Sequence, residues 1–138
     1  MASTKATGAK GEGIAANYLK GKSYQILARN YFLRAQGGPK IAEIDIIAKI
    51  RGCFVFVEVK TIVANGKYLA QDKVDGRKLW KIAKAAEMWL AQNKIPLDSP
   101  WRIDVIAIDL LPDARPKLVR KLFGPKCKIS HFENVSTS

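Results

Sequence analysis

Two short blocks of this 138-residue chain place acids where a strand is otherwise apolar. In Cys53-Phe54-Val55-Phe56-Val57-Glu58-Val59-Lys60, alternation puts Phe54, Phe56, Glu58 and Lys60 on one face and the cysteine and valines on the other. In Ala42-Glu43-Ile44-Asp45-Ile46-Ile47, the same rule groups Glu43, Asp45 and Ile47 opposite Ile44 and Ile46. Both segments read as strands buried on two faces, where a charge is costly unless it is paired or bound to an ion.

The spacing of the blocks suggests what the acids face. Arg51-Gly52 lies between them, and as a two-residue hairpin loop it pairs Ile50 with Cys53. Asp45 then lies across from Glu58, and Glu43 across from Lys60. Directly opposed Cβ atoms are about 5 Å apart, and two carboxylates at that separation repel by roughly 3 kcal/mol at an effective dielectric near 20. A hard cation, Mg²⁺ or Mn²⁺, takes oxygen ligands and reverses the sign of that interaction. Two alternatives stay open here. Glu43 can pair with Lys60 while Asp45 and Glu58 face water, or the two acids can share a proton, although Lys60 favours ionised carboxylates. Glu12, beside Ala15 and Leu19 on the first helix, is a third acid within reach of the same cleft; an early helical Glu also suits the helix dipole.

Carboxylate-held Mg²⁺ beside a lysine is suited to phosphodiester hydrolysis, which needs an activated water and stabilised phosphate charge. In that scheme Asp45 and Glu58 are direct ligands, the Val59 carbonyl is another, and Glu12 is an outer or second-metal ligand. Lys60 holds the attacking water or the phosphate.

The whole composition agrees with a polyanionic substrate. Lys and Arg number 24 against 12 acids, a formal net charge of +12, and such an excess in a small domain predicts nucleic acid as partner, with DNA the first expectation. Arg77, Lys81 and Lys84 recur at i, i+4, i+7 on a helix, with Lys73 and Lys78 close by, a stripe suited to phosphate contacts. A solvated basic helix face is the ordinary alternative. Lys78 and Lys81 are the stronger candidates because they flank the buried stripe near the helix start.

Other chemistries find no support. Two distant cysteines and one histidine do not make a zinc site. There is no P-loop, dinucleotide turn or G-x-S-x-G, and His131 reads as structural. No apolar run nears the ~18 residues of a membrane span. A polar N-terminus and reduced cysteines fit a cytoplasmic protein.

The elements that must position these residues follow in order. Residues 1–6 read as a disordered tail before a single domain over 7–135. A helix is expected over 7–20, with Ile14, Ala15, Tyr18 and Leu19 as its apolar stripe. Strands are expected over 24–33, 41–48 and 53–62. A second helix over 72–92 buries Leu79, Ile82, Ala83, Ala86, Trp89 and Leu90. A strand over 101–108 follows, and a short one over 128–132 is allowed. The basic, Pro-interrupted stretch 111–128 resists placement. This order, α-β-β-β-α-β, describes an α/β domain with one central mixed sheet flanked by helices.

The runs G-A-K-G-E-G-I-A-A-N-Y-L, Y-Q-I-L-A-R-N-Y, A-E-I-D-I-I-A, F-V-F-V-E-V-K, K-V-D-G-R-K-L-W-K-I-A-K-A-A, W-R-I-D-V-I-A-I and H-F-E-N resemble the YraN-type family of small bacterial proteins. That family is similar to the PD-(D/E)XK nucleases, close in fold to archaeal Holliday junction resolvases. The resemblance covers about residues 8–134. It implies a restriction-endonuclease-like core, with Asp45 and Glu58 as metal ligands, Lys60 as the catalytic lysine and Glu12 as the N-terminal acid. It also implies Mg²⁺-dependent cleavage of branched or structured DNA, and it allows a homodimer. Nucleic-acid binding with the acidic site kept but little catalysis is the runner-up. The sequence departs from the family at Ala42, where glycine is usual, in a longer 30–43 segment, and at Ile62, where a basic residue is common; these departures touch substrate contacts more than the metal ligands.

Overall fold

A computed structural model describes residues 4–63 and 75–135. Its elements are α1 (Thr4–Gly21), β1 (Gln25–Arg34), β2 (Lys40–Ile50), β3 (Cys53–Val63), α2 (Gly76–Gln92), β4 (Trp101–Leu110), α3 (Lys117–Phe123) and β5 (Cys127–Phe132). The five strands form one sheet in the order β1-β2-β3-β4-β5. All neighbours are antiparallel except β3 and β4, which are joined through α2 as a parallel pair. The fold is α/β with a single mixed sheet and matches a restriction-endonuclease-like core.

The two long helices cover opposite faces of the sheet. On one face Ala15, Ala16 and Leu19 of α1 pack on Ile46, Ala48, Val55, Val57, Val59, Ile106 and Ile108. On the other, Leu79, Ile82, Ala85, Ala86 and Trp89 of α2 pack on Ile44, Ile47, Phe54, Phe56 and Ile103. Trp89 meets Phe54 and Phe56 with ring centroids 5.9 Å from each. This double cover is why β2, β3 and β4 are nearly all apolar. In α2 the expected buried face shifts slightly, with Ala85 buried and Ala83 and Leu90 only partly so.

Several boundaries move for local reasons. The helix α1 already runs at Thr4, so residues 4–6, expected in a tail, are helical; Lys5 and Ala6 are good helix formers and nothing there stops the turn. Gly11, which weakens a helix on propensity alone, is required by packing. A Cβ at that position would collide with the Thr61 side chain of β3, so glycine lets the first half of α1 lie on the sheet. Asp75 caps α2, accepting from the Lys78 N–H at 3.0 Å. The start expected at residue 72 lies outside the described residues. The unplaced stretch resolves into α3 and the lead-in to β5.

The hairpin between β2 and β3 has the expected register, with Ile50 opposite Cys53. Arg51 and Gly52 have φ of 47° and 77°, the left-handed pair that a tight turn matching strand twist demands.

A buried polar network ties α1 to the far edge of the sheet. Asp104 is fully buried and accepts from Arg102 Nε at 3.0 Å and the Asn134 N–H at 2.9 Å. It also contacts His131 Nε2 at 2.8 Å, and the other ring nitrogen meets the Tyr18 hydroxyl at 3.1 Å. Arg102 donates on to the Tyr24 hydroxyl at 2.9 Å. Burial works against ionisation of Asp104, but the bonds from His131, Asn134 and Arg102 outweigh it and hold its carboxyl below the usual range. His131 thus joins β5, β4 and α1. No helix among the described residues is long and apolar enough to cross a membrane.

The seating of α1 is testable at one position. Gly11→Ala should cost roughly 1–3 kcal/mol through overpacking, several degrees in thermal unfolding. Thr61→Ala in the same chain should recover part of that loss. A Gly11→Ala protein that melts like the original would mean that α1 does not touch β3 there.

Candidate metal centre

The regular pattern of the sheet breaks at Asp45. Ile44 packs under α2 whereas Ile46, two residues on, packs under α1, so strict alternation fails between them. The paired strand deviates at the same point. Asn30, between the Arg29–Ile46 and Tyr31–Ile44 pairs, has φ of 53°, a conformation asparagine tolerates better than most residues. The β2–β3 ladder ends at the Ile46–Val57 pair. Beyond it, the Asp45 carboxylate takes the place of a backbone acceptor, and its Oδ2 receives the Val59 N–H at 2.7 Å. Val59, expected to offer its carbonyl to a metal, thus meets Asp45 through its amide.

This break gathers the acids. One carboxylate oxygen from each of Glu12, Glu43 and Asp45 lies within 4.8 Å of the others. Glu12 arrives from α1, whose position is set by the Gly11 contact with Thr61 and by the Tyr18–His131 bond. Burial, the charges of Glu58, Glu12 and Glu43, and only one relieving amide bond push the Asp45 carboxyl up to about 8. Burial and Glu43 raise Glu12 as well, against relief from a hydrogen bond with Asp45 and from Arg29. Three hard oxygen donors crowded at this cost fit a divalent cation, and the group could hold a metal.

Glu58 is buried at 3% exposure but faces the α2 side. Its Oε1 holds two ammonium groups, Lys78 Nζ at 2.6 Å and Lys60 Nζ at 3.4 Å. Burial and the neighbouring Lys78 press the Lys60 ammonium below its usual range despite Glu58. Lys78 is raised: burial opposes its charge, and hydrogen bonding to Glu58 and Lys60 overcomes that. Of the expected metal acids, Glu12 and Asp45 cluster with Glu43, and Glu58 is held by Lys78 and Lys60. Alternation alone pairs Glu43 with Lys60 and so leaves it out of the site. The signal for it is the E-I-D spacing, which puts two acids on one face. Glu43 instead meets Lys40 at 3.1 Å.

An open cleft of about 400 Å³ leads to the acids. Glu43, Asp45 and Glu58 line one wall, and Arg77, Lys78 and Lys81 of α2 line the other. Lys84 does not line that cleft: it sits 5.5 Å from the Trp80 ring centroid and 3.9 Å from Glu87, because two helical turns carry it about 10 Å along the axis from Arg77. Lys73 lies outside the described residues.

A profile of the uncharacterised protein family UPF0102 matches residues 11–108. The chain belongs to that family. It is similar to a UPF0102 protein of Geotalea uraniireducens, 42% identical over 117 residues that span 85% of this chain and 87% of the relative. A UPF0102 protein of Alkaliphilus oremlandii is 36% identical over 133 residues, 95% of this chain and 97% of its own length. One from Geobacter metallireducens is 43% identical over 104 residues, spanning 75% and 80%. The UPF0102 match takes in Glu12, Glu43, Asp45, Glu58, Lys60 and all of α2; α3 and β5 lie beyond it.

The crowded acids predict an unusual pH dependence. A carboxyl raised from 3.8 towards about 8 keeps its proton in the folded chain after it would lose it unfolded. Stability of the metal-free protein should therefore be greatest at low pH within that window and fall as pH rises through it. Asp45→Asn can still accept the Val59 amide bond but cannot ionise, so its melting temperature should decline much less across the same window, from about pH 5 to about pH 8. Parallel slopes for the two proteins would show that Asp45 is not the group under strain.

Proposed function

We propose that this protein is a metal-dependent endonuclease of the PD-(D/E)XK type, hydrolysing phosphodiester bonds in branched or otherwise structured DNA. One observation carries the reading: Glu43 and Asp45 of the acid cluster line a cleft together with Glu58, which holds Lys60, and the opposite wall of that cleft is basic. Glu12, Glu43 and Asp45 are the residues that would hold Mg²⁺ or Mn²⁺, with Glu58 and the Val59 backbone next to them. When bound, such an ion supplies Lewis-acid polarisation of the phosphate and a lowered pKa for water.

The chain's own groups account for the rest. Arg77 and Lys81 contact flanking phosphates, which gives affinity without reading sequence. Lys60, half-buried and donating to Glu58, offers its ammonium to the charge that builds on the scissile phosphate. Asp45, fixed by the Val59 amide, is oriented before any substrate arrives. Lys78 serves as a resident cation for Glu58 until another takes its place. The net charge of +12 draws the polyanion in.

Asp45→Asn should abolish Mg²⁺-dependent nicking of a branched DNA, a loss of at least about a hundredfold, the scale of one electrostatic contact to the transition state. Its affinity for the same DNA should be equal or higher, because the amide brings no negative charge to the cleft at any pH. Equal cleavage by both proteins would sink the assignment. Binding by both, with no cleavage by either, would leave a nucleic-acid-binding protein that keeps the acids without the catalysis.

Lys78→Met separates the two uses of that lysine. Without the competing ammonium on Glu58, Mn²⁺ should bind several-fold more tightly by calorimetry. DNA affinity should fall, with the salt slope smaller by about one. Weaker Mn²⁺ binding in this variant would mean that Lys78 supports the metal site rather than competing for it.

A further inference from the structure

A second basic surface lies on the other side of the sheet from the α2 wall. Lys10 of α1, Arg120 of α3 and Lys126 line a cavity of about 340 Å³ with the end of β4. Asp113 also lines it, but its carboxylate is taken by Arg115, at 2.8 Å from Nε and 2.7 Å from Nη2. Among the described residues, the three cations therefore meet no free acid within the cavity.

The α3 helix beside it is unusual for a protein surface. Leu118, Leu122 and Phe123 are 65%, 67% and 77% exposed. At 100° per residue these three span one arc, and Lys117, Arg120 and Lys121 occupy the opposite one. Residues 114–124 contain no acid. Pairing with a second copy through this helix would set like charges against one another, which disfavours a self-interface. The charge instead suits a polyanion.

Position decides which polyanion. Lys60 pairs with Ala107, and Val63 with Leu110, at whose end the cavity opens. Three residues of strand span about 10 Å, so the cavity lies about three nucleotides' length from Lys60 along β3 and β4, across the end of the sheet. In a duplex the outside presents phosphates, and apolar side chains find no partner there. A strand that has left the duplex offers phosphates and unstacked bases together, and bases stack on aromatic and apolar groups.

We propose that Lys10, Arg120 and Lys126, with Leu122 and Phe123, hold an unpaired nucleic-acid strand emerging from the catalytic cleft. The inference rests on the nucleic-acid reading above and narrows it to substrates with a single-stranded arm.

The test is binding by fluorescence anisotropy to a blunt DNA duplex and to the same duplex with a single-stranded overhang, without divalent metal. The wild type should prefer the overhang by about tenfold, the scale of one or two stacked bases. Leu122→Ala with Phe123→Ala should remove the preference and leave duplex affinity unchanged. Arg120→Gln with Lys126→Gln should lower overhang affinity and reduce its salt slope by roughly 0.7 for each phosphate no longer neutralised. Arg77→Gln with Lys81→Gln, in the α2 wall, should weaken both DNAs alike. If that α2 variant loses binding while both α3-side variants behave as wild type, this surface is wrong and the nuclease reading survives. If the wild type binds neither DNA, both readings fall. Binding to anionic phospholipid vesicles that the α3-side substitutions abolish, with no overhang preference, would overturn the proposal in favour of a membrane surface.

Discussion

The hydrogen bond from the Val59 amide to the Asp45 carboxylate is the contact on which the site depends. Up to the Ile46–Val57 pair, β2 and β3 form an ordinary ladder. One residue further, a side chain replaces the backbone as acceptor, and the strands can diverge without orphaning a buried N–H. Divergence opens the cleft, and the same exchange aims an acid into it. A buried carboxylate with one amide bond and three acidic neighbours is poorly compensated. The surrounding structure must therefore over-determine its position, and two separate devices do so.

The first device is the kink itself. Asn30 in a left-handed conformation lies opposite Asp45, and the sheet alternation resets there on both strands. The second is the anchoring of α1. Gly11 lets the helix approach Thr61 closely, and the Tyr18–His131–Asp104 chain fastens it near its other end. Glu12 sits next to the close-approach glycine, so its carboxylate reaches the cluster from a helix held at two points. Strain at the acids is thus carried by packing and hydrogen bonds on the α1 face, some distance from the cleft.

Much of this is legible in the sequence. The apolar runs, the helix stripes and the Arg51-Gly52 turn follow from periodicities and turn chemistry that act locally, and the β2–β3 register follows from that turn. Asp45, Glu58 and Lys60 stand out because a charge in a doubly covered strand is anomalous. What fails is alternation carried past Asp45. A rule of period two cannot anticipate a kink whose cause is a side chain bonding to the next strand. That is why alternation sets Glu43 against Lys60, whereas the fold joins it to Glu12 and Asp45. Lys84 lies outside the cleft lining for a different reason: it keeps the face of Arg77, but two turns carry it about 10 Å along the helix axis. The α3 segment is illegible because it buries none of its residues, so no core-facing period marks it.

The two lysines on Glu58 bear on how the fold tolerates so many acids in one place. Asp45 sheds its charge by holding a proton, whereas Glu58 has a cation in contact on α2 and another on its own strand. The acids thus fall into two groups with different ways of meeting the same electrostatic cost. On the proposed metal-dependent reading, a dication would have to displace protons from the first group and, to recruit Glu58, compete with Lys78. On that reading, metal affinity would couple to pH through Asp45 and Glu12, and to the position of α2 through Lys78. A phosphate entering the cleft would offer Lys78 an alternative anion, so metal and nucleic acid would each ease the binding of the other. Linkage requires that coupling to be equal in both directions, which makes the Lys78–Glu58 contact the place where the basic wall and the acidic wall of the cleft act as one site.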